Sequence, residues 1–89
     1  MKAIVTVIGK DKSGIIAKVS GALYENGVNI EDISQTIMQD MFTMIMLVKS
    51  NDTSVSIKDI TEKLNKVGEE MEVAIHVQRE EIFSSMHRI

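Results

Sequence analysis

Residues 9–33 read GKDKSGIIAKVSGALYENGVNIEDI, and this stretch holds the end of a strand, a loop, a helix and the start of another strand. Apolar residues recur at helical spacing after the loop, and Gly27 follows them as a left-handed helix cap would. We therefore predict a first helix over residues 13–26. The loop before it places backbone N–H groups and Gly14 at a helix N-terminus. Such a loop is either a simple turn or a binding site for a small anion or zwitterion.

The chain on either side of this stretch predicts a second helix and three more strands. The first strand is rich in β-branched residues and apolar on both faces, which is typical of a central strand. A polar turn at residues 39–41 separates the second and third strands and indicates a hairpin. Ser56 and Asp59 resemble a capping box at the start of the second helix, and Gly68 is the residue expected to end it. The predicted strands are residues 2–8, 28–38, 42–49 and 73–78.

This βαββαβ order favours an α+β, ferredoxin-like fold: a four-stranded antiparallel sheet with two helices on one face. The first and third strands carry apolar residues on both faces, but two helices can cover only one face. A large uncovered apolar face is an aggregation liability, so either the tail or a second copy of the chain must cover the other. The tail, residues 80–89, has apolar positions at i, i+1, i+4 and i+7 and predicts a short amphipathic helix.

Composition excludes several classes of protein. The 89 residues form one domain, with a net charge of −3 and no run of Lys or Arg, so neither nucleic acid nor an anionic membrane is an expected partner. The chain has no cysteine, which excludes disulfides, thiolate metal sites and a cysteine nucleophile. No segment has the length of a signal peptide's apolar core or a transmembrane helix, so we expect a cytoplasmic protein.

The residues also provide little for catalysis. His76 and His87 are the only histidines, and neither belongs to a Ser-His-carboxylate arrangement. The carboxylates are scattered, with no pair suited to acid–base chemistry or to holding a metal. We therefore predict a protein that is not an enzyme and has no metal or cofactor. Four methionines cluster in the hairpin, and adaptable core packing is a better interpretation than a metal site or a peptide groove. They are Met38, Met41, Met44 and Met46.

The stretch DKSGIIAKVSGALYENGVNIEDISQT resembles the signature of the ACT domain, a small-molecule-binding regulatory module. The family pattern is an Asp-x-Pro-Gly-Ile/Leu loop, a helix with Val and Leu on its inner side, and then Gly-x-Asn-Ile. Ser13 stands where the family usually has Pro, and this is the one clear departure. The resemblance covers about residues 2–79. The matching positions are Asp11, Gly14, Ile15, Val19, Leu23, Gly27, Asn29 and Ile30.

The tail, VQREEIFSSMHRI, resembles the ending of small stand-alone ACT-domain proteins, which are related to glycine-cleavage transcriptional regulators and formyltetrahydrofolate deformylases. The resemblance implies a whole protein with an ACT domain at residues 1–79 and a tail helix at residues 80–89. It also implies a homodimer with an amino-acid ligand between the copies and a regulatory protein partner. The alternative is a structural protein that keeps the fold and dimerises or binds a protein without a ligand.

The predicted ligand site combines the loop with the start of the second strand. An α-carboxylate suits the free N–H groups of the helix N-terminus, and Gly14 lets a ligand approach the backbone. Asn29 can donate to a carboxylate and accept from an ammonium group. The competing interpretation is that Gly14 serves the turn and Asn29 caps it. The site residues are Asp11, Lys12, Ser13, Gly14, Ile15, Asn29 and Ile30.

Overall fold

A computed structural model describes residues 1–81 of the chain, and its element order is βαββαβ. Its four strands form one antiparallel sheet in the order β2-β3-β1-β4, so the first strand is central as predicted. The ferredoxin-like fold is confirmed. The tail helix predicted for residues 80–89 lies outside the described residues except for Glu80 and Glu81. The elements are β1 Lys2–Lys10, α1 Ile15–Glu25, β2 Asn29–Met38, β3 Met41–Lys49, α2 Ile57–Met71 and β4 Val73–Arg79.

The hydrophobic core lies between the two helices and one face of the sheet. Alternate residues of β1 and β3 point toward the helices, and each of these positions is at most 3% exposed. Apolar residues on the inner sides of α1 and α2 pack onto them, and burial of this apolar surface is the main force that holds the helices to the sheet. The sheet contributes Ala3, Val5, Val7, Phe42, Met44, Met46 and Val48, and the helices contribute Ile15, Val19, Leu23, Ile60, Leu64 and Met71.

The strand β2 lies at an edge of the sheet and is exposed along its whole length. A β-bulge between Ile30 and Asp32 shifts its register with β3, so Ile30, Ile33 and Ile37 all point to the helix side. These three side chains are 37–52% exposed, and Ile16 of α1 is 40% exposed. The four isoleucines form an apolar surface along the β2 edge, which we call the β2 patch.

The opposite face of the sheet, which we call the open face, carries no helix of the described chain. Its apolar members include Ile4 and Ile8 of β1 and Ile45 and Leu47 of β3, which confirms that the central strands are apolar on both faces. The methionine prediction is half right. Met44 and Met46 are core residues, whereas Met38 and Met41 are 71% and 46% exposed near the hairpin turn. Because the alternation continues to the turn, both of these point away from the helices.

The helix ends differ from the predicted ones. The helix α1 begins at Ile15 because Gly14, with φ 93° and ψ −4°, has a left-handed conformation outside the helix. Gly27 has φ 72°, as predicted for a residue that follows a helix. Ser56 caps α2 by accepting a hydrogen bond from the Asp59 N–H at 3.1 Å. The prediction that Gly68 ends this helix is wrong: α2 continues to Met71, and Glu72 takes the left-handed position.

Gly68 instead lies buried inside α2, where the helix packs closely on β4. A Cβ atom at this position would lie 2.9 Å from the backbone carbonyl oxygen of Val73. Since that contact is with backbone, the helix would have to move away from the strand to relieve it. The glycine is therefore present for close packing, and the sequence pattern of a glycine near a helix end does not distinguish the two roles.

We expect Gly68→Ala to lower the free energy of unfolding by about 1–3 kcal/mol, because the added methyl group overpacks the contact with β4. Gly21→Ala is the matched control, since a Cβ atom on that helical glycine would have no neighbouring atom within 4 Å. It should be neutral or should stabilise the protein by about 0.5–1 kcal/mol through helix propensity. Urea unfolding measures both variants. Equal effects at the two positions would contradict the packing role of Gly68.

Candidate functional site

The loop between β1 and α1 leaves the N-terminus of α1 without a side-chain cap. Gly14 occupies the cap position, and none of the described side chains accepts a hydrogen bond from the first turn. Lys18 N–H donates to the Gly14 carbonyl at 2.9 Å, which is the first hydrogen bond of the helix. The N–H groups of residues 15–17 therefore have no acceptor within the helix, and the positive end of the helix dipole lies among them.

A backbone hydrogen bond holds this loop against the hairpin. Asp11 N–H donates to the Asp40 carbonyl at 2.7 Å, and Asp40 belongs to the turn between β2 and β3. Gln39, in the same turn, has φ 59°. The contact places the start of the loop beside the end of β2, so the first turn of α1 and the last residues of β2 face the same space.

That space is a cleft of about 270 Å³. The loop and the first turn of α1 form one wall, and β2 and β3 supply the remainder. Gln35 offers an amide donor and acceptor there, while Ile37 and the buried Phe42 supply apolar surface. The volume is just below the usual range for small-molecule pockets, about 300–1,000 Å³, so only a compact ligand would fit. The cleft is lined by Asp11, Lys12, Ser13, Gly14, Ile15, Ile16, Ala17, Gln35, Ile37 and Phe42.

The structure brings together only part of the predicted site. All five loop residues, 11–15, line the cleft, but Asn29 and Ile30 do not. Asn29 opposes Lys49 at the start of β2, whereas Ile37 opposes Phe42 beside the cleft. Ile37 lies eight positions after Asn29 along the strand, which corresponds to about 27 Å. Within one chain, Asn29 therefore cannot contact a ligand that occupies the cleft.

The turn that precedes Asn29 is tied to the opposite end of the molecule. The Ser50 hydroxyl, which is buried, donates to the Gly27 carbonyl at 2.9 Å. The N-terminal ammonium group of Met1 donates to the Ser50 carbonyl at 2.8 Å. These contacts hold the start of β2 near the end of β3 and fix Asn29 as an exposed residue at one end of the edge strand.

Sequence reasoning did not identify Gln35, Ile37 and Phe42 as cleft residues. Gln35 carried a usable signal, because it is the polar member of an otherwise apolar set on the helix side of β2. The bulge near Asp32 obscures that set, since a residue inserted into a strand changes which positions share a face. Phe42 carried no such signal, because a buried aromatic residue at the end of a strand is typical of any core.

Charged groups and histidines outside the cleft make separate local contacts. A salt bridge of 2.8 Å joins Lys18 to Glu70 and raises the pKa of the lysine, but both side chains are more than half exposed. Hydrogen bonds from Ser54 lower the pKa of Asp52 in the loop before α2. His76 opposes Thr6 and is exposed, and His87 lies outside the described residues. The described part of the chain contains no group of three or more His, Cys, Asp or Glu residues suited to a metal ion.

Known proteins with this sequence pattern and fold identify the family. A family model of the ACT domain matches residues 2–78. The chain belongs to the ACT domain family. A UPF0237 protein of Clostridium acetobutylicum is 54% identical over 89 residues, which is the full length of both chains. An ACT domain protein from Streptococcus pneumoniae is 44% identical, with a TM-score of 0.83 and coverage of 93% of each chain.

Other ACT-fold structures extend the similarity to regulatory proteins. The regulatory subunit of aspartate kinase from Thermus thermophilus is 28% identical, with a TM-score of 0.68, and the match covers 86% of this chain and 50% of the subunit. A protein described as a glycine cleavage system transcriptional repressor shares the fold at 22% identity and a TM-score of 0.77, covering 86% of this chain and 44% of its own. A formyltetrahydrofolate deformylase from Burkholderia mallei shares the fold at 11% identity and a TM-score of 0.78, and the match covers 88% of this chain and 28% of the enzyme. The predicted resemblance is confirmed.

ACT domains are typically ligand-binding regulatory domains, so the family directs attention to a ligand site in this one. Among the described residues, no helix has the length and apolar character needed to cross a membrane.

Proposed function

We propose that this ACT-domain protein is a non-catalytic sensor that binds an amino acid at the interface of a homodimer and transmits binding to a protein partner. The observation that supports this proposal most directly is the uncapped N-terminus of α1, which opens onto a cleft lined by Gln35 and apolar side chains. We place the ACT domain at residues 1–79, with residues 80–89 as an appended tail, in a cytoplasmic protein.

The β2 patch supports a homodimer. An edge strand that is exposed along its whole length presents unpaired N–H and C=O groups on its outer side. The strand β2 is such a strand, and it also carries three exposed isoleucines. Pairing of β2 with β2 of a second copy around a twofold axis would satisfy those groups and continue the sheet to eight strands. The two α1 helices would then lie side by side over the joined strands, and Ile16 and Ile33 of both copies would be buried between them.

The same pairing would complete the site that a single chain divides. Two antiparallel copies of β2, aligned over Asn29–Met38, place Asn29 of one copy opposite Met38 of the other. Met38 lies just before the turn whose Asp40 carbonyl holds the Asp11 N–H. Asn29 of one protomer would therefore lie beside the β2–β3 turn that borders the cleft of its partner. On this proposal the seven predicted site residues act together only across the interface.

The chemistry of the combined site suits a zwitterion. The N–H groups of residues 15–17 would bind the α-carboxylate, where the helix dipole favours negative charge. The Asp11 carboxylate and the Asn29 amide oxygen would accept hydrogen bonds from the α-ammonium group. Ile37 and Phe42 would contact the ligand side chain, and the small cleft favours a short one. Gln35 is placed to distinguish a polar side chain from an apolar one.

The alternative function is a structural protein that keeps the dimer but binds no ligand. Ser13 favours this alternative to some degree, because a serine in place of the family's proline leaves the loop less rigid. Amino-acid binding distinguishes the two functions directly.

We expect Ile33→Glu to convert the dimer into a monomer at micromolar concentration. Twofold symmetry places two new carboxylates in the buried centre of the interface, and a cost of about 2.7 kcal/mol would weaken dimerisation about 100-fold. Ile8→Glu is the matched control, since Ile8 is 40% exposed, against 43% for Ile33, but lies on the open face. Light scattering coupled to size exclusion measures both. A monomeric parent, or a dimeric Ile33→Glu variant, would contradict the β2 interface.

A thermal-shift screen of the twenty amino acids should find at least one that raises the melting temperature by several degrees, since ligand at 100 times Kd stabilises by about 2.7 kcal/mol. Asn29→Ala and Ser13→Asp should each weaken binding of that amino acid by about 1–3 kcal/mol. The first variant loses a hydrogen bond, and the second repels the ligand carboxylate. Asn65→Ala, on the exposed side of α2, should bind as the parent does. Failure of all twenty amino acids to stabilise the parent would favour the structural protein.

A further inference from the structure

On the open face, the central strand β1 has an uncharged middle and a lysine at each end. The residues of β1 that point to this face begin with Lys2 and end with Lys10, and Ile4, Thr6 and Ile8 lie between them. The two lysines are eight positions apart, which corresponds to about 27 Å along the strand. Neither β1 nor β3 contains an acidic residue.

The strand β3 continues this arrangement beside β1. Lys49 pairs with Lys2 at one end of the two strands, and Met41 pairs with Lys10 at the other. We call the open-face residues of β1 and β3 together the central strip. Those on β3 are Met41, Thr43, Ile45, Leu47 and Lys49.

The middle of the central strip is apolar, and part of it is open to solvent. Ile8 is 40% exposed and Ile45 is 39% exposed. The edge strands are more polar on this face, since β2 presents Asp32 and Ser34 next to β3 and β4 presents His76 next to β1. An exposed apolar surface with polar borders is typical of a site that binds another protein.

The dimensions of the central strip match those of a single α-helix. Two strands about 4.8 Å apart give, with their side chains, a width of about 10 Å, and a helix with its side chains is about 10–12 Å wide. A length of about 27 Å corresponds to about 18 helical residues. A helix packed on a sheet is a standard arrangement of layers, and α1 and α2 already occupy the opposite face of this sheet.

The charges of the strip indicate the chemistry of such a helix. The whole chain has a net charge of −3, but β1 and β3 end in lysines on the open face and contain no carboxylate. A helix with acidic residues near both ends would pair with Lys2 and Lys49 at one end of the strip and with Lys10 at the other. A helix with basic ends would be repelled at the same positions.

The same lysines make a second copy of the chain a poor occupant of the strip. A twofold axis along the strands would set Lys2 of one copy against Lys49 of the other. An axis across the strands would set Lys2 against Lys10. Either arrangement brings like charges together, and such contacts oppose association.

We propose that the central strip binds an amphipathic helix of a protein partner, with the apolar side of that helix on Ile8 and Ile45 and acidic residues near its two ends beside the lysines. This inference rests on the proposed function for the existence of a protein partner but not for the amino-acid ligand. The strip is separate from the β2 patch, so the proposed homodimer presents two strips on one face of its joined sheet.

A synthetic helical peptide of 18 residues serves as the probe. It has leucines along one side and two glutamates at each end, and the matched peptide has lysines in place of the glutamates. We expect the full chain to bind the glutamate peptide about tenfold more tightly in fluorescence anisotropy, since each exposed ion pair strengthens binding only a few-fold. The assay contains no amino-acid ligand, so its outcome is independent of the thermal-shift screen.

Charge reversal tests whether the strip itself is the binding site. The variant Lys2→Glu, Lys10→Glu, Lys49→Glu should reverse the order of the two affinities and prefer the lysine peptide. The control variant reverses three exposed lysines of α2, which changes the net charge by the same amount, and it should keep the parent's preference. Its substitutions are Lys58→Glu, Lys63→Glu and Lys66→Glu.

Cysteine labelling locates the bound peptide. The parent has no cysteine, so Ile45→Cys places a single thiol on the strip. With nine-tenths of the sites occupied, the glutamate peptide should slow maleimide labelling of this thiol about tenfold. Labelling of Tyr24→Cys, at a position on α1 that is 84% exposed, should not change.

Three results would each overturn the proposal. The first is that neither peptide binds, or that both bind equally well. The second is that the two charge-reversed variants behave alike. The third is that the thiol of Ile45→Cys is already protected in the free protein, which would mean that the same chain or a second copy covers the strip.

Discussion

The strands β1 and β3 carry apolar side chains on both faces, and two helices can cover only one of them. The helix-side set is almost fully buried, and it holds α1 and α2 to the sheet. This leaves two further apolar surfaces on the described chain: the open face and the β2 patch. The way each surface is covered determines which part of the protein meets a partner. On our account a second copy of the chain covers the β2 patch.

The position of the cleft follows from the β1–β3 register, which pairs Lys10 with Met41, and from one backbone hydrogen bond next to that pair. The hydrogen bond from the Asp11 N–H to the Asp40 carbonyl joins the loop before α1 to the β2–β3 turn. An uncapped helix end therefore lies next to the last residues of an edge strand. A ligand there would touch both the helix and the strand that forms the proposed interface. Binding could therefore change the strength of dimerisation, which is one physical route from an amino-acid signal to a protein partner.

Most of the fold could be predicted from the sequence pattern, because β1 and β3 are long apolar runs and the helical spacing of apolar residues in α1 is uninterrupted. The errors occurred where one residue has two possible roles. Gly68 resembles a helix end but serves close packing, and Met38 and Met41 resemble core residues but point to the open face. The loop half of the site was predictable from its motif. The β-bulge concealed Gln35, and no pattern in the sequence showed that the cleft lies at the Ile37 end of β2, about 27 Å along the strand from Asn29.

The claim that the site is shared between two copies is tested most directly by mixing two defective variants. Ser13→Asp damages the loop half and Asn29→Ala damages the strand half, so each homodimer should bind the amino acid weakly. If the site is shared, a mixed dimer has one site with both halves intact, and an equal mixture should regain about a quarter of the parent's high-affinity sites in calorimetry. If the site lies within one chain, the mixture will regain none, and this result would contradict the account.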